Sequence, residues 1–356
     1  MEERVLKVIS ILSVFLAVIV SVSLQFFPEM HEKSVLAAEA RAKLLENGQK
    51  QVAEVIQDEV EQGDLEDETI DIDAQLKIEL PDENTKDTVS VENDYLNQVV
   101  YIRFQGGVDD YFTEYGLSGS SDHIASLSYY KEKGEGVIVL GLDMVYELEQ
   151  TFHEGSLYLD FLRPQDIYDK VIVVDAGHGG RAVGAVKKEF YEKNVNLSIV
   201  KELKALLDKD ERKIGVYYTR LDDSNPTFDQ RVQLANKAQA NLFISVHNNA
   251  ASTGGFSGRN GTEVLFSESD TGALSSKQFA TICADQVSKY AGSRNLGLVK
   301  GDSIYIVRTS EVPVALVECG YMTNKEELEK LVTEEYQKKI AQGIYEAINE
   351  AFEEGF

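Results

Sequence analysis

The sequence predicts an α/β domain, its mostly parallel or mixed sheet flanked by helices, preceded by a small all-β domain and an N-terminal transmembrane helix. Three observations predict this order. Residues 8–27, VISILSVFLAVIVSVSLQFF, form an uncharged apolar run of 20 residues, the length of a helix that spans a bilayer. From about residue 69 the hydrophobic period is two, as in half-buried strands. From residue 170 onward, short β-branched runs alternate with helix-like segments, as in a sheet covered by helices.

The first element, 1–30, reads as an anchor. Arg4 and Lys7 precede the apolar run, which exceeds the usual core of a signal peptide. The expected arrangement is single-pass in the cytoplasmic membrane, with everything that follows outside. A cleaved signal peptide is the alternative, with Ala38-Glu39-Ala40 as the small-residue triplet. Residues 31–68 read as an acidic polar stalk. Leu44, Leu45, Val52, Val55, Ile56 and Val60 have loosely helical spacing, which leaves a partner helix open beside a solvated spacer. The formal net charge is −26, which excludes nucleic acid as a partner held by charge. Residues 51–90 hold 14 Asp and Glu against 2 Lys, so much of the acidity belongs to one stretch and not to a binding face.

Residues 69–165 read as a β-rich domain. Ile70, Ile72, Ala74, Leu76, Ile78 and Leu80 alternate with mostly polar residues, as do Val100, Ile102 and Phe104. Further strands are expected at 124–130, 137–142, 146–152 and 157–162. Turn-like clusters, Ser118-Gly-Ser-Ser121 and Lys133-Gly-Glu-Gly136, separate them, which predicts a sandwich. His123 and His153 stand alone here and read as surface or turn residues.

Residues 166–356 read as the catalytic domain. Strands are expected at 171–175, 214–219, 242–247, 262–266, 304–307 and 313–318, and helices near 194–209, 227–240, 274–290 and 334–352. Ligands of such sheets gather at the carboxyl ends of the strands. His178, in VIVVDAGHGG, and His247, in LFISVHNNA, follow two of these runs, and Glu318 closes a third, PVALVE. Glu192 precedes a helix, where an acid also suits the helix dipole. Catalytic zinc takes three protein ligands and leaves a position for water. His178, Glu192 and His247 would be those ligands. A further carboxylate must move the water's proton, and Glu318 is the candidate, because a charge ending an apolar strand is costly without a role.

Asp175 is a candidate acceptor behind a ligand. Asn248 is a candidate for orienting substrate or for fixing the turn after His247. Arg220, Arg231 and Arg308 either hold a peptide carboxylate or pair with acids such as Asp222 and Asp229. For these three the structural role is favoured, and Arg231 and Arg308 remain substrate-binding candidates. Cys283 and Cys319 permit one disulfide but make no disulfide framework.

VIVVDAGHGG, YEKNVNL, the pair Thr219-Arg220, RVQLAN, LFISVHNNA and ALVECGYMTN, in this order over about residues 170–354, resemble the zinc-dependent N-acetylmuramoyl-L-alanine amidases of the Amidase_3 family. Ala176 stands where many members have Pro. The resemblance implies zinc at His178, Glu192 and His247, acid/base chemistry at Glu318, and peptidoglycan as the partner. The implied reaction is hydrolysis of the amide between the muramic lactyl group and L-alanine. The implied location is the cell envelope, anchored in the membrane, or secreted to the wall if the leader is cleaved. Residues 250–313 leave no room for the long helix that blocks the zinc in some members. A protein activator, unidentified, remains open. The β domain resembles AMIN-type wall-targeting domains in pattern only. The rival functions are a zinc peptidase cutting within the stem peptide and a non-catalytic wall-binding or division scaffold.

Overall fold

The computed structural model describes residues 72, 74–120, 122–252, 255–270, 272 and 274–356. The expected anchor at 8–27 and the stalk lie outside them. Among the described residues no helix is long and apolar enough to cross a membrane.

The first half is a sandwich of two antiparallel four-stranded sheets. Its strands are β1 (Leu76–Glu79), β2 (Ser90–Asp94), β3 (Val99–Gln105), β4 (Leu117–Gly119), β5 (Ile124–Glu132), β6 (Glu135–Leu142), β7 (Glu147–His153) and β8 (Ser156–Leu162), with a one-turn helix α1 (Tyr111–Glu114) before β4. The sheets run β4-β1-β8-β7 and β2-β3-β6-β5. Period-two alternation buries Val100, Ile102 and Phe104 of β3 against Ile78, Leu140 and Leu159. Lys133-Gly134 and Glu154-Gly155 close two hairpins with positive φ at both central residues, the turn whose twist matches the flanking strands. Leu117–Gly119 pairs with β1 as a strand, where the Gly-Ser cluster was expected to be only a turn. The edge strand β2, SVEND, is mostly polar and half-exposed, so alternation does not mark it.

The second half is a three-layer α/β domain. Its elements are α2 (Pro164–Ile167), β9 (Lys170–Ala176), the hairpin β10 (Val186–Lys187) and β11 (Phe190–Tyr191), α3 (Glu192–Leu207), β12 (Ile214–Tyr218), α4 (Phe228–Lys237), β13 (Leu242–Asn249), β14 (Thr262–Phe266), α5 (Ser276–Ala291), β15 (Asn295–Lys300), α6 (Tyr305–Arg308), β16 (Val314–Tyr321), α7 (Lys325–Leu331) and α8 (Glu334–Glu353). The sheet order is β12-β9-β13-β16-β14-β15. The first four strands are parallel, while β14 runs antiparallel to β16 and parallel to β15, so the sheet is mixed. Helices α3, α5 and α8 cover one face, and α4 covers the other.

The expected strand at 304–307 is instead α6. Its β-branched residues mimic a strand, but the amides of Arg308 and Thr309 donate to the carbonyls of Ile304 and Tyr305, which closes a helical turn. Strand β15 was not expected, because NLGLVK lacks alternation and Gly297 adopts φ +82°. Cys283 and Cys319 are buried free thiols.

The two halves meet on α4. Tyr95, Leu96 and Val145 of the sandwich join Val232, Leu234 and Ala235 in one core. At one end of α4, Gln230 donates to Asn97 Oδ1 at 2.7 Å; at the other, the Val145 amide donates to the Lys237 carbonyl at 3.1 Å. Glu147 accepts hydroxyl hydrogen bonds from Tyr95 at 2.5 Å and Tyr217 at 2.6 Å, which ties the sandwich to the sheet edge.

Candidate active site

The site lies at the carboxyl edge of the parallel strands, built by the loop after β9, the start of α3, the end of β13 and the later part of β16. After β9 the chain turns through Gly177, His178, Gly179 and Gly180, and His178 itself sits at φ +63°. A histidine held in the left-handed region is a local cost of the kind found at functional sites. Here the cost is met by an arginine pair that grips the strand end. Arg220 donates to the carbonyls of Ala176 and Gly177, each at 2.7 Å. Arg231 donates to the carbonyls of Ala176 at 2.9 Å and His178 at 2.7 Å. Asp175, fully buried, pairs with Arg231 and accepts from Thr219 at 2.5 Å and Ser245 at 2.6 Å. Burial alone would raise its pKa; the Arg231 charge and the two hydroxyls outweigh it and hold the carboxyl below its usual value.

Glu192 opens α3 and is buried between the two histidines. Its Oε1 lies 3.0 Å from His178 Nε2 and 3.0 Å from His247 Nδ1. Its Oε2 accepts from the Ala185 amide at 2.8 Å. Desolvation opposes its charge, but hydrogen bonds from both imidazoles win and lower its pKa far below the usual carboxylate value. The three ligand atoms lie within 4.8 Å of one another, and this is the one such His/Cys/Asp/Glu group among the described residues. Glycines make room for it. A Cβ on Gly177 would stand 2.1 Å from His247 Nε2, and one on Gly184 would stand 2.4 Å from Glu192 Oε2.

On β16, Glu318 is the register partner of His247 on one side and of Glu263 on the other. Its Oε2 is sealed from solvent with no hydrogen-bond partner among the described residues. Burial, then the charges of Glu192 and Glu263, push its pKa well up. A half-buried carboxyl with one oxygen sealed and unpaired, and hard to ionise, has the properties of a proton carrier. Two imidazoles and one carboxylate, with an orphaned carboxyl alongside, fit a catalytic metal of the zinc type.

The structure brings His178, Glu192, His247 and Glu318 together and distributes the other candidates differently. Asp175 reaches no ligand side chain; it acts through Arg231 on the His178 backbone. Arg231 is 2 % exposed, and its donors are given to Pro226, Ala176, His178 and Asp175, which corrects its reading as a substrate-binding residue. Arg308 lies ahead of the N-terminal end of β16, donates to the Asp302 carbonyl and stacks on Tyr305, so it too is away from the site. Asn248 is buried; its amide donates to Glu192 Oε1 at 3.2 Å and its side chain to Asn196 at 2.8 Å, which makes it a brace behind the ligands. Asn196 was missed by sequence reasoning. It lies four residues after Glu192 on the same helix face and donates to the Gly177 carbonyl at 3.1 Å.

A mixed α/β sheet with a His/Glu/His cluster fit to hold a metal at the carboxyl edge of its parallel strands, and a spare carboxyl beside it, has the makings of a hydrolase. The family model described as N-acetylmuramoyl-L-alanine amidase matches residues 172–350, and the chain belongs to that family, Amidase_3. It is 33% identical over 190 residues to the uncharacterized protein YqiI of Bacillus subtilis, covering 53% of this chain and 88% of that protein. It is 33% identical over 183 residues to the N-acetylmuramoyl-L-alanine amidase LytC of the same species, covering 51% of this chain but only 35% of LytC. Among solved structures, the catalytic domain of the amidase CwlV from Bacillus (Paenibacillus) polymyxa var. colistinus is 34% identical, with TM-score 0.48, over 52% of this chain and 98% of that one. The family match does not extend into the β-sandwich, so the resemblance to AMIN-type domains gains no support.

Proposed function

We propose that the protein is a zinc-dependent N-acetylmuramoyl-L-alanine amidase that hydrolyses the amide between the lactyl group of muramic acid and the L-alanine of the stem peptide. The observation that carries this reading is the unpaired Glu318 Oε2 beside the His178–Glu192–His247 cluster. Zinc held by those three side chains supplies a Lewis acid toward water and the scissile carbonyl. Glu318, ionised once a bound cation offsets the charges of Glu192 and Glu263, takes a proton from the attacking water and delivers it to the leaving nitrogen. The C–N bond breaks, the carbonyl carbon gains the hydroxyl, and the alanine nitrogen gains the proton. Asn196, Asn248 and Arg231 keep the ligands in place while this happens. The uncharged run at residues 8–27 supports a location outside the cytoplasmic membrane, tethered or released after cleavage.

The test is incubation of the full chain with purified peptidoglycan and identification of the product ends by mass spectrometry. Stem peptides beginning with L-alanine, released with zinc and lost on chelation, are expected. Cuts within the peptide would move the reading to a zinc peptidase. No release with zinc present would overturn hydrolysis and leave a wall-binding scaffold.

A further inference from the structure

The chain as a whole is strongly acidic, yet two of the loops that bound the metal site are not. Residues 179–191, between His178 and Glu192, hold Arg181, Lys187 and Lys188 against one acid, Glu189. Residues 250–261, after His247, hold Arg259 and no acid. The loop on the other side, 219–227, carries Asp222 and Asp223 against Arg220.

Arg259, on the loop after β13, is held by two neighbours. Its guanidinium lies over the Tyr321 ring at 5.2 Å and donates to Glu263 Oε2 at 3.1 Å. Glu263 is 6 % exposed, and its Oε1 is engaged by Asn249 at 2.5 Å and the Tyr321 hydroxyl at 2.7 Å. Arg259 itself is exposed. A guanidinium has five N–H donors; beyond the one given to Glu263, the described residues take none. Glu263 and Tyr321 thus hold a planar donor in place before any ligand arrives, which lowers the ordering cost of binding. Because Glu263 is the register partner of Glu318, Arg259 stands on the order of 8 Å from the proton carrier, one strand spacing plus one hydrogen bond. Two extended residues reach about 7 Å.

We propose that Arg259 binds the carboxylate of the second stem residue, so that a stem carrying a free α-carboxylate there is preferred over one carrying the α-carboxamide. The proposal rests on the amidase reading above. Arg259 would touch the leaving-group side of the substrate and set specificity there. Planar, two-pronged donation to a carboxylate is what arginine does better than lysine.

The test offers the zinc-loaded full chain a mixture of muramoyl-L-alanyl-D-glutamate and muramoyl-L-alanyl-D-isoglutamine, which differ only in that carboxylate. The expected preference for the glutamate form is about 10–100-fold in kcat/KM, carried mainly by KM. Arg259→Ala brings the ratio below about threefold, Arg259→Lys leaves it between, and Arg259→Glu inverts it. A loop staple would instead lower both rates alike and leave the ratio standing. The same pair is titrated into the full chain carrying Glu318→Gln, so that the ratio of dissociation constants is read without turnover. A ratio near one, or one that Arg259→Ala leaves unchanged, would overturn the proposal. If neither compound is hydrolysed, the amidase reading fails, and the binding ratio still judges Arg259.

Discussion

Replacing Asp175 by Asn would test whether the buried Asp175–Arg231 pair supports the metal site through the backbone. The side chain keeps its shape and loses its charge. Arg231 stays buried, with carbonyl partners at Ala176, His178 and Pro226 but no counter-charge. Breaking one side of a buried pair costs about 3–5 kcal/mol. At about 2–4 °C per kcal/mol for a domain of this size, the melting temperature should fall by roughly 6–20 °C near neutral pH. The folded-state pKa of Asp175 is depressed. Its contribution is therefore present above the unfolded aspartate value of about 3.9 and lost as pH falls through the folded value. The gap between parent and variant should be widest near neutrality and close below about pH 4. Calorimetry across pH reads both features. A drop smaller than about 2 °C at neutral pH, or a gap that widens on acidification, would refute the reasoning.

Glu318→Gln should lower kcat by about 10²–10⁴-fold while raising the melting temperature of the metal-free chain, since the buried carboxyl and its repulsion by Glu192 and Glu263 are removed; kinetics and a melting curve check the two directions. Gly177→Ala should weaken zinc binding by about 10–100-fold, as its Cβ would displace His247, measurable by competition with a chelating dye. Stripping zinc from a chain held at 100 times its dissociation constant should remove about 2.7 kcal/mol of stability. That is a fall of roughly 5–10 °C, reversed by zinc alone.

His178, His247 and Glu318 were legible because each closes a run of apolar residues, where an ionisable side chain stands out. Glu192 was legible only in their company, since an acid at a helix start has an ordinary explanation in the dipole. The supporting shell was not legible. Arg220, Arg231 and Asn196 donate mainly to backbone carbonyls, and a carbonyl acceptor leaves no mark on the residue that carries it. Ile304, Ile306 and Val307 misled because β-branched residues suit a strand and a buried helical turn alike. The reversal of β14 was invisible too, because direction within a sheet depends on connections that local periodicity does not encode.

The grip of the β-sandwich on both ends of α4 links two events that look independent. Arg231 lies next to Gln230, which donates to Asn97, and the same Arg231 holds the carbonyl of His178. The backbone of the His178 turn and the docking of the sandwich therefore draw on one helix. Thermodynamic linkage is reciprocal. By whatever factor a bound ligand on the sandwich shifts the affinity for zinc, zinc shifts the affinity for that ligand equally.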